Sequence, residues 1–364
     1  MSNTIDRRKF LGTTLATGTI AMNSSLLASA SAKKSNIKLG FDNFSIRGFG
    51  WKAPQIIKYA ASLKVDVVLF SDLDVYESLE DKYLREVKKL TDDSGIELHA
   101  GTGGICPTSS RAITKYGTSE EHLALTIRVA KALGSPVARC YQGHSADRKG
   151  EGGIYRHIEA TVKTCKAVRN QAIDAGVKIA IENHAGDMQA WELVMLIEAA
   201  GKDYVGATMD NGNAIWAIED PMVNLEILGP YAVTTGIRDD AVWETENGAM
   251  TAWANIGDGH IDWDAYLKLY KKLCPEIPFI LEIIFGLPRE FKYLTPEFWD
   301  IFPKARANEF ARFVAMAKRG NAWDHPAERP SGKGSKELSQ RQQKFDLEQS
   351  LKYCKDKLGL GLKR

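Results

Sequence analysis

The stretch "DAGVKIAIENH", residues 174–184, shows in eleven residues how this chain is built. Its glycine, Gly176, follows a helical pattern and suits the left-handed residue that often ends a helix. The apolar run over 177–181 then has the length and composition of a buried strand. This strand is followed by Glu182, Asn183 and His184. Because a buried carboxylate without a partner is costly, we expect Glu182 to be paired, protonated or bound to a cation.

The same order of helix and short apolar strand recurs from about residue 36 to residue 320. Eight strands that alternate with helices predict a parallel sheet with right-handed crossovers, and eight is the number that closes a (β/α)8 TIM barrel. A doubly wound open sheet is the alternative, but "DNFSIRGFGW" (residues 42–51) lacks the glycine spacing of a dinucleotide-binding loop. We therefore predict an α/β protein with a TIM barrel over residues 36–320. The predicted strands are 37–41, 65–70, 96–100, 136–141, 177–181, 205–209, 231–237 and 278–281, and the predicted helices include 54–63, 79–93, 120–133, 158–175, 191–200 and 303–319.

The first 32 residues have the features of an export signal. "DRRKFLG" (residues 6–12) places Arg7 and Arg8 before an apolar pair, and "ASASA" (residues 28–32) provides a small-residue cleavage site. The paired arginines predict a twin-arginine signal peptide, the twin-arginine export machinery as a partner and a periplasmic location. A disordered basic tail is the alternative. No cysteine lies at the predicted cleavage site, which argues against a lipoprotein anchor.

Residues 321–364 form a predicted C-terminal extension. The segment "HPAERPSGKGSKELSQRQQK" (residues 325–344) is typical of a polar linker. Leu347, Leu351, Cys354 and Leu358 follow at helical spacing and predict a helix with an apolar stripe. We expect this stripe to dock on the barrel rather than on a partner protein.

The composition, with 44% hydrophobic and 26% charged residues and a formal net charge of +2, is that of an ordinary globular protein. The sequence has no basic stripe with interleaved aromatic residues, which argues against nucleic-acid binding, and no apolar stretch long enough for a stable membrane anchor. Its five cysteines lack the spacing of a disulfide framework or a zinc–thiolate site. The oligomeric state stays open, with a homo-oligomer among the alternatives.

Polar side chains follow nearly every predicted strand, at the end of a TIM barrel where active sites lie. A packed barrel does not need polar residues there, so together they predict a polar pocket. For His99 and His144, substrate contact and structural hydrogen bonding are both open. The strand-end residues are Asp42, Ser71, Asp72, His99, Gln142, His144, Glu182, Asn183, His184, Asp210, Asn213, Arg238, Asp239 and Glu282.

Among these residues the carboxylates Glu182, Asp210 and Glu282 each come directly after an apolar strand core. They belong to the fifth, sixth and eighth predicted strands, so they are expected to lie close together at the barrel mouth. Such a group cannot stay fully ionised without compensating positive charge. Oxygen donors favour a hard divalent cation, Mn²⁺ or Mg²⁺. Pairing with Arg139 or Arg238 is the alternative.

The motifs "IENH" (181–184), "MDNGN" (209–213) and "LEIIFG" (281–286) resemble the sugar phosphate isomerase/epimerase family, the xylose isomerase-like TIM barrels. The resemblance covers roughly residues 36–318. It implies that Glu182, Asp210 and Glu282 hold a divalent metal, with Glu182 and Glu282 as catalytic acid and base. It also places Asn213 where the family has a substrate-contacting residue. His184 and Arg238 are further predicted substrate contacts.

One motif departs from the family pattern. The seventh strand of the family often ends in a metal-binding histidine, and the corresponding stretch "TTGIRDD" (residues 234–240) has Gly236 at that position. Glycine has no side chain to ligate a metal. The metal could therefore be held more weakly, be completed by other groups such as His184 or His260, or be absent.

These residues predict a metal-dependent isomerase or epimerase that removes a proton next to a carbonyl in a sugar or sugar derivative. A keto-glycoside lyase or hydrolase uses the same proton abstraction, and a non-catalytic carbohydrate-binding barrel is the alternative that Gly236 suggests. A DNA-repair endonuclease on this fold is disfavoured, because the histidine-rich metal cluster is missing and an exported protein would not meet the genome. Aromatic faces in predicted loops at the mouth would suit stacking on sugar rings; they belong to Trp51, Trp216, Trp243 and Trp253.

Overall fold

The computed structural model describes residues 35–284, 288–323 and 335–363. The predicted signal peptide, residues 1–32, lies outside these ranges. The five cysteines all lie inside them as buried free thiols, as expected from their spacing. None of the described helices is long and apolar enough to cross a membrane.

Eight parallel strands in the described residues form the predicted TIM barrel. The strands are neighbours in chain order, and the last strand pairs with the first. A parallel bridge between Ile237 and Leu281 joins the last strand to the seventh and closes the ring. The barrel strands are β1 (Leu39–Asp42), β2 (Val67–Phe70), β3 (Glu97–Gly104), β4 (Val137–Tyr141), β5 (Lys178–Glu182), β6 (Val205–Asp210), β7 (Ala232–Gly236) and β10 (Phe279–Leu281).

The helices that follow the strands pack their apolar faces on the barrel. Gly134 and Gly176 end two of them in the left-handed conformation, with φ of 69° and 68°. The predicted helix 158–175 is wrong in its bounds, because Val168 (φ −106°) interrupts it and divides α4 from α5. The helices are α1 (Ala53–Ser62), α2 (Asp81–Asp93), α3 (Ser119–Leu133), α4 (Gly153–Ala167), α5 (Arg169–Ala175), α6 (Ala190–Ala200), α7 (Asn211–Ala214), α8 (Pro221–Leu228), α9 (Trp263–Leu273), α10 (Ala307–Arg319) and α11 (Ser335–Asp356). Short 3-10 helices cover Asn43–Phe49, Leu73–Val75, Ser145–Arg148, Ile215–Ala217, Gly229–Tyr231 and Pro296–Ile301.

A small antiparallel sheet beside the barrel was not predicted. It consists of β8 (Asp239–Thr245), β9 (Gly248–Ala254) and β11 (Arg289–Phe291), and β9 lies in the middle. Trp243 and Trp253 therefore lie on strands, and their assignment to loops was wrong. The sequence did carry a signal, since the Asn247-Gly248 pair between two β-type runs is a strong hairpin indicator.

The C-terminal helix α11 docks on the barrel as expected. Leu347, Leu351 and Cys354 are at most 3% exposed and belong to the main core. Polar contacts reinforce the docking, since the backbone N–H of Gly48 donates to the side chain of Gln343 at 2.9 Å. The prediction of a linker up to residue 344 was wrong from Ser335 onward, because polar residues also fill the exposed faces of this helix.

Candidate active site at the barrel mouth

Glu182, Asp210 and Glu282 converge at the carboxyl ends of the strands and are called the acidic cluster below. Glu182 ends β5, Asp210 ends β6, and Glu282 directly follows β10. Their side chains are at most 6% exposed, and one carboxylate oxygen of each lies within 4.8 Å of the others. Buried acids at this spacing require positive charge or protons for compensation.

Buried arginines provide that charge. Arg139 lies on β4, and its Nη2 donates a hydrogen bond to Glu182 Oε2. Arg238 Nη2 donates to Asp210 Oδ2 and, at 2.6 Å, to Glu282 Oε2. Both guanidinium groups are nearly inaccessible, at 4% and 1% exposure. The pairing with arginine that the sequence left as an alternative is therefore present for every member of the acidic cluster.

The position of Arg238 is fixed by its surroundings. Its backbone N–H donates to the Asn211 side chain at 3.0 Å, and its carbonyl accepts from the same side chain at 2.9 Å. Its guanidinium carbon lies 4.4 Å from the centroid of the Trp253 ring. A Cβ atom at position 212 would lie 2.0 Å from Arg238 Cγ, so Gly212 leaves the space that the side chain fills.

Asn213 joins two members of the acidic cluster. Its Nδ2 donates to Asp210 Oδ2 at 2.7 Å and to Glu182 Oε1 at 3.1 Å, and its backbone N–H donates to Asp210 Oδ1 at 2.9 Å. The structure places Asn213, a predicted substrate contact, at the acidic cluster, where it organises the acids.

The acids differ in their expected protonation. Burial raises the pKa of Glu182 to about 7, although Arg139 works in the opposite direction. Burial also raises the pKa of Asp210 well above its usual value. For Glu282 the raising effect of burial is outweighed by Arg238 and Arg139, and its pKa is lowered. At neutral pH Glu282 is therefore ionised, and the neighbouring Glu182 is partly protonated.

The sequence model of the xylose isomerase-like TIM barrel family matches residues 57–294. This chain belongs to that family. Solved structures with the same fold include a D-psicose 3-epimerase determined in the presence of D-fructose, with a TM-score of 0.56, 15% identity and coverage of 89% of this chain and 100% of the other. No curated protein matched the sequence.

Two further solved structures with this fold are described with bound metals. The IOLI protein, described with a binding zinc atom, has a TM-score of 0.54 and 15% identity over 78% of this chain and 100% of its own. A xylose isomerase-like TIM barrel protein from Mycobacterium smegmatis, described in complex with magnesium, has a TM-score of 0.50 and 14% identity over 78% and 97%. At these identities the likeness establishes the fold alone.

The carboxylate oxygens of the acidic cluster are suitable donors for a divalent metal. The space between them, however, is already filled. Position 236 faces the cluster, since a Cβ there would lie 3.3 Å from both Asp210 Oδ2 and Glu282 Oε2, but glycine provides no ligand. Arg238 Nη2 already bonds to both of these oxygens. A divalent ion bound to the same two oxygens would have to share their space with this guanidinium nitrogen, and the two positive charges would repel each other. With the side chains as they stand, the site does not fit a divalent cation.

His184 lies beside the cluster as a neutral group. Its ring stacks on Tyr141 with centroids 3.9 Å apart, and its Nδ1 donates to the Gly143 carbonyl at 2.6 Å. Burial lowers its pKa to about 4. This tautomer leaves Nε2 without a proton, so His184 can accept a hydrogen bond from a substrate hydroxyl.

The structure does not bring His99 or His144 into the acidic cluster. His99 is 1% exposed, and its ring nitrogens bond to Thr234 and Glu97 at 2.8 Å each. The prediction that it ends a strand was wrong, because β3 continues to Gly104 and leaves His99 inside the barrel. His144 is half-buried, and its Nε2 lies 3.1 Å from Ser110 Oγ.

Asp42 is a site residue that the sequence analysis listed only as a strand end. It is buried and accepts hydrogen bonds at 2.7 Å from Ser71 Oγ and from the Phe44 backbone. Burial, with a further contribution from Glu282, raises its pKa to about 8. Its position at the end of β1 was the available signal, and its interaction with Glu282 joins it to the site.

Proposed function

We propose that this protein is an isomerase or epimerase that transfers a proton at the carbon next to a carbonyl in a sugar or sugar derivative. The observation that carries the proposal is the pair Glu182 and Glu282, two buried acids at the barrel mouth whose pKa values are shifted in opposite directions. Such a pair suits one group that accepts a proton while the other donates one. The family's D-psicose 3-epimerase relative supports the substrate class.

The proposed reaction takes one proton from carbon and returns one proton to carbon, so the substrate gains and loses no protons overall. Ionised Glu282 removes the proton from carbon, and the C–H electron pair forms a carbon–carbon double bond while negative charge develops on the carbonyl oxygen. Protonated Glu182 returns a proton to carbon as that charge flows back. Return to the other face of the same carbon is epimerisation. Return to the former carbonyl carbon, with transfer of the adjacent hydroxyl proton to the former carbonyl oxygen, is isomerisation.

The developing negative charge requires fixed positive charge next to the oxygen. Arg139 and Arg238 provide it in the described arrangement. A divalent cation is the alternative source, supported by the zinc and magnesium named for two structural relatives and by the acidic cluster itself. With carboxylate donors only, Mg²⁺ or Mn²⁺ would be preferred, and Arg238 would have to leave.

A keto-glycoside lyase is the second candidate, favoured by a hollow next to the site. This hollow has a volume of about 340 Å³ and is lined in part by Trp216, Arg289 and Phe302. Trp216 stacks on Trp253, the residue that covers Arg238, with ring centroids 4.3 Å apart. An aromatic-lined space of this kind would hold the ring of a leaving group.

Incubation of the purified protein with a panel of sugars and keto-glycosides in heavy water tests the reaction class. We expect deuterium to enter the carbon next to the carbonyl of at least one substrate, detected by proton NMR and mass spectrometry. A new sugar isomer identifies the isomerase or epimerase, and a released aglycone identifies the lyase. Binding of a sugar with neither exchange nor product would show a carbohydrate-binding barrel and contradict the proposal.

We further propose that the protein is exported to the periplasm by the twin-arginine pathway. Changing Arg7 and Arg8 to lysine together should retain the protein in the cytoplasm with its leader uncut, because the pathway reads the arginine pair. Cell fractionation and the mass of the product provide the measurement, and Lys9→Arg, which keeps the pair, is the control. Unchanged export of the double variant would contradict the proposed route.

A further inference from the structure

The nitrogen Arg238 Nη2 lies where two carboxylates of the acidic cluster meet. It donates to Asp210 Oδ2 and Glu282 Oε2, and these two oxygens are also the ones that a side chain at position 236 would approach. The chain therefore combines a missing ligand at position 236 with a cation that comes from position 238. Each feature on its own would weaken a metal site. Together they put a guanidinium nitrogen beside the oxygens that a metal would bind.

We propose that the guanidinium of Arg238 permanently takes the place of a divalent metal, so that this family member works without one and uses Arg238 to hold the substrate oxygen. The catalytic part of this proposal rests on the proposed function. The replacement of the metal does not, since it concerns only what the acidic cluster binds.

Charge balance supports the replacement. The buried carboxylates of the acidic cluster face the buried positive charges of Arg139 and Arg238. A divalent ion added to this set would bring more positive charge next to a guanidinium that cannot lose its proton. Without the ion, each of the three carboxylates already has a guanidinium partner.

Packing keeps the arginine in place. Its stem fills the space left by Gly212, and its guanidinium lies beneath the ring of Trp253. Trp253 is itself held by a hydrogen bond from its Nε1 to the Gly212 carbonyl at 2.7 Å. To free the cluster for a metal, Arg238 would have to displace Trp253 and with it part of β9.

Arg238 also has two donor nitrogens that no described residue accepts from. Its Nε and Nη1 are buried and have no hydrogen-bond partner among the described residues. An unmet donor of a buried charged group is costly, and a carbonyl or hydroxyl oxygen of the substrate would satisfy it. Nε and Nη1 point from different edges of the planar guanidinium, so each of them can donate to a separate substrate oxygen.

Metal binding to the folded protein is the primary test, because it does not depend on finding the substrate. In equilibrium dialysis we use about 100 µM MnCl₂, a concentration on the order of the dissociation constants of carboxylate metal sites. Wild type should then bind less than about 0.1 equivalent of Mn²⁺. Its melting temperature should not change when Mn²⁺ or EDTA is added. The double variant Gly236→His with Arg238→Met should bind about one equivalent, at least tenfold more tightly than wild type. Gly236→His alone should not, and Arg169→Met, which removes an exposed cation paired with Asp203, is the matched charge control.

Tight stoichiometric binding of Mn²⁺ or Mg²⁺ by wild type would overturn the replacement. So would EDTA-sensitive deuterium exchange by wild type, even if the double variant failed to fold. If wild type binds no metal, the double variant gains it, and no sugar exchanges deuterium, the replacement stands while the proposed reaction fails.

Discussion

Glu282→Gln is expected to slow deuterium exchange into the substrate by a factor of about 10² to 10⁴, the usual contribution of a positioned general base. Glu282 is the member of the acidic cluster whose pKa is lowered, because Arg238 and Arg139 outweigh its burial, so it is ionised and ready to accept a proton at neutral pH. Glutamine keeps the shape and can still accept a hydrogen bond from Arg238, but it cannot take up the proton. Exchange in heavy water measured by proton NMR, with circular dichroism as the check of folding, gives the result.

The matched comparison is Glu182→Gln. This variant should form no product, but Glu282 should still exchange the substrate hydrogen that it removes for deuterium at a residual rate. Glu219→Gln is the control for loss of a buried acid elsewhere, since Glu219 is 1% exposed and bonds to Ala190 and Asn224 instead of the acidic cluster. Exchange at the normal rate in Glu282→Gln would assign the proton transfer to another group.

Arg139→Met is expected to lower the free energy of unfolding by about 3–5 kcal/mol at pH 8, the usual cost of leaving a buried charge without its partner. The variant removes the donor to Glu182 Oε2 and leaves two backbone carbonyls, of Ser71 and Thr102, without their donor. Removing the attraction of Arg139 should also raise the pKa values of Glu182 and Asp42 beyond the values of about 7 and about 8 that they have beside it.

The loss should be smaller at pH 5 than at pH 8. Between the ordinary pKa values of these acids and the raised values in the folded protein, the native state binds more protons than the unfolded state, so stability falls as the pH rises. The variant should show the steeper fall because its acids lack the compensating arginine. Urea unfolding at both pH values provides the measurement, with Arg169→Met expected to cost less than about 1 kcal/mol as an exposed pair. An equal loss at pH 5 and pH 8 would show that Arg139 acts through packing and not through charge.

The sequence by itself determined the barrel and the location of its site. Each predicted barrel strand is present within a few residues, because short apolar runs bounded by helix-ending glycines and polar strand ends are local signals that the chain carries in order. The same locality explains why Glu182, Asp210, Asn213 and Glu282 were placed at the mouth. A residue that directly follows a buried parallel strand can only emerge at the carboxyl end of the barrel.

Only the tertiary structure decided which partner compensates each acid. Arg139 reaches Glu182 across 43 residues of sequence, and Arg238 reaches Asp210 and Glu282 across 28 and 44. The sequence favoured a metal as the source of positive charge and left an arginine as the alternative, since both satisfy the same buried carboxylates. The space beside Gly212 and the face of Trp253 come from packing between distant segments, and this packing places a guanidinium between Asp210 and Glu282.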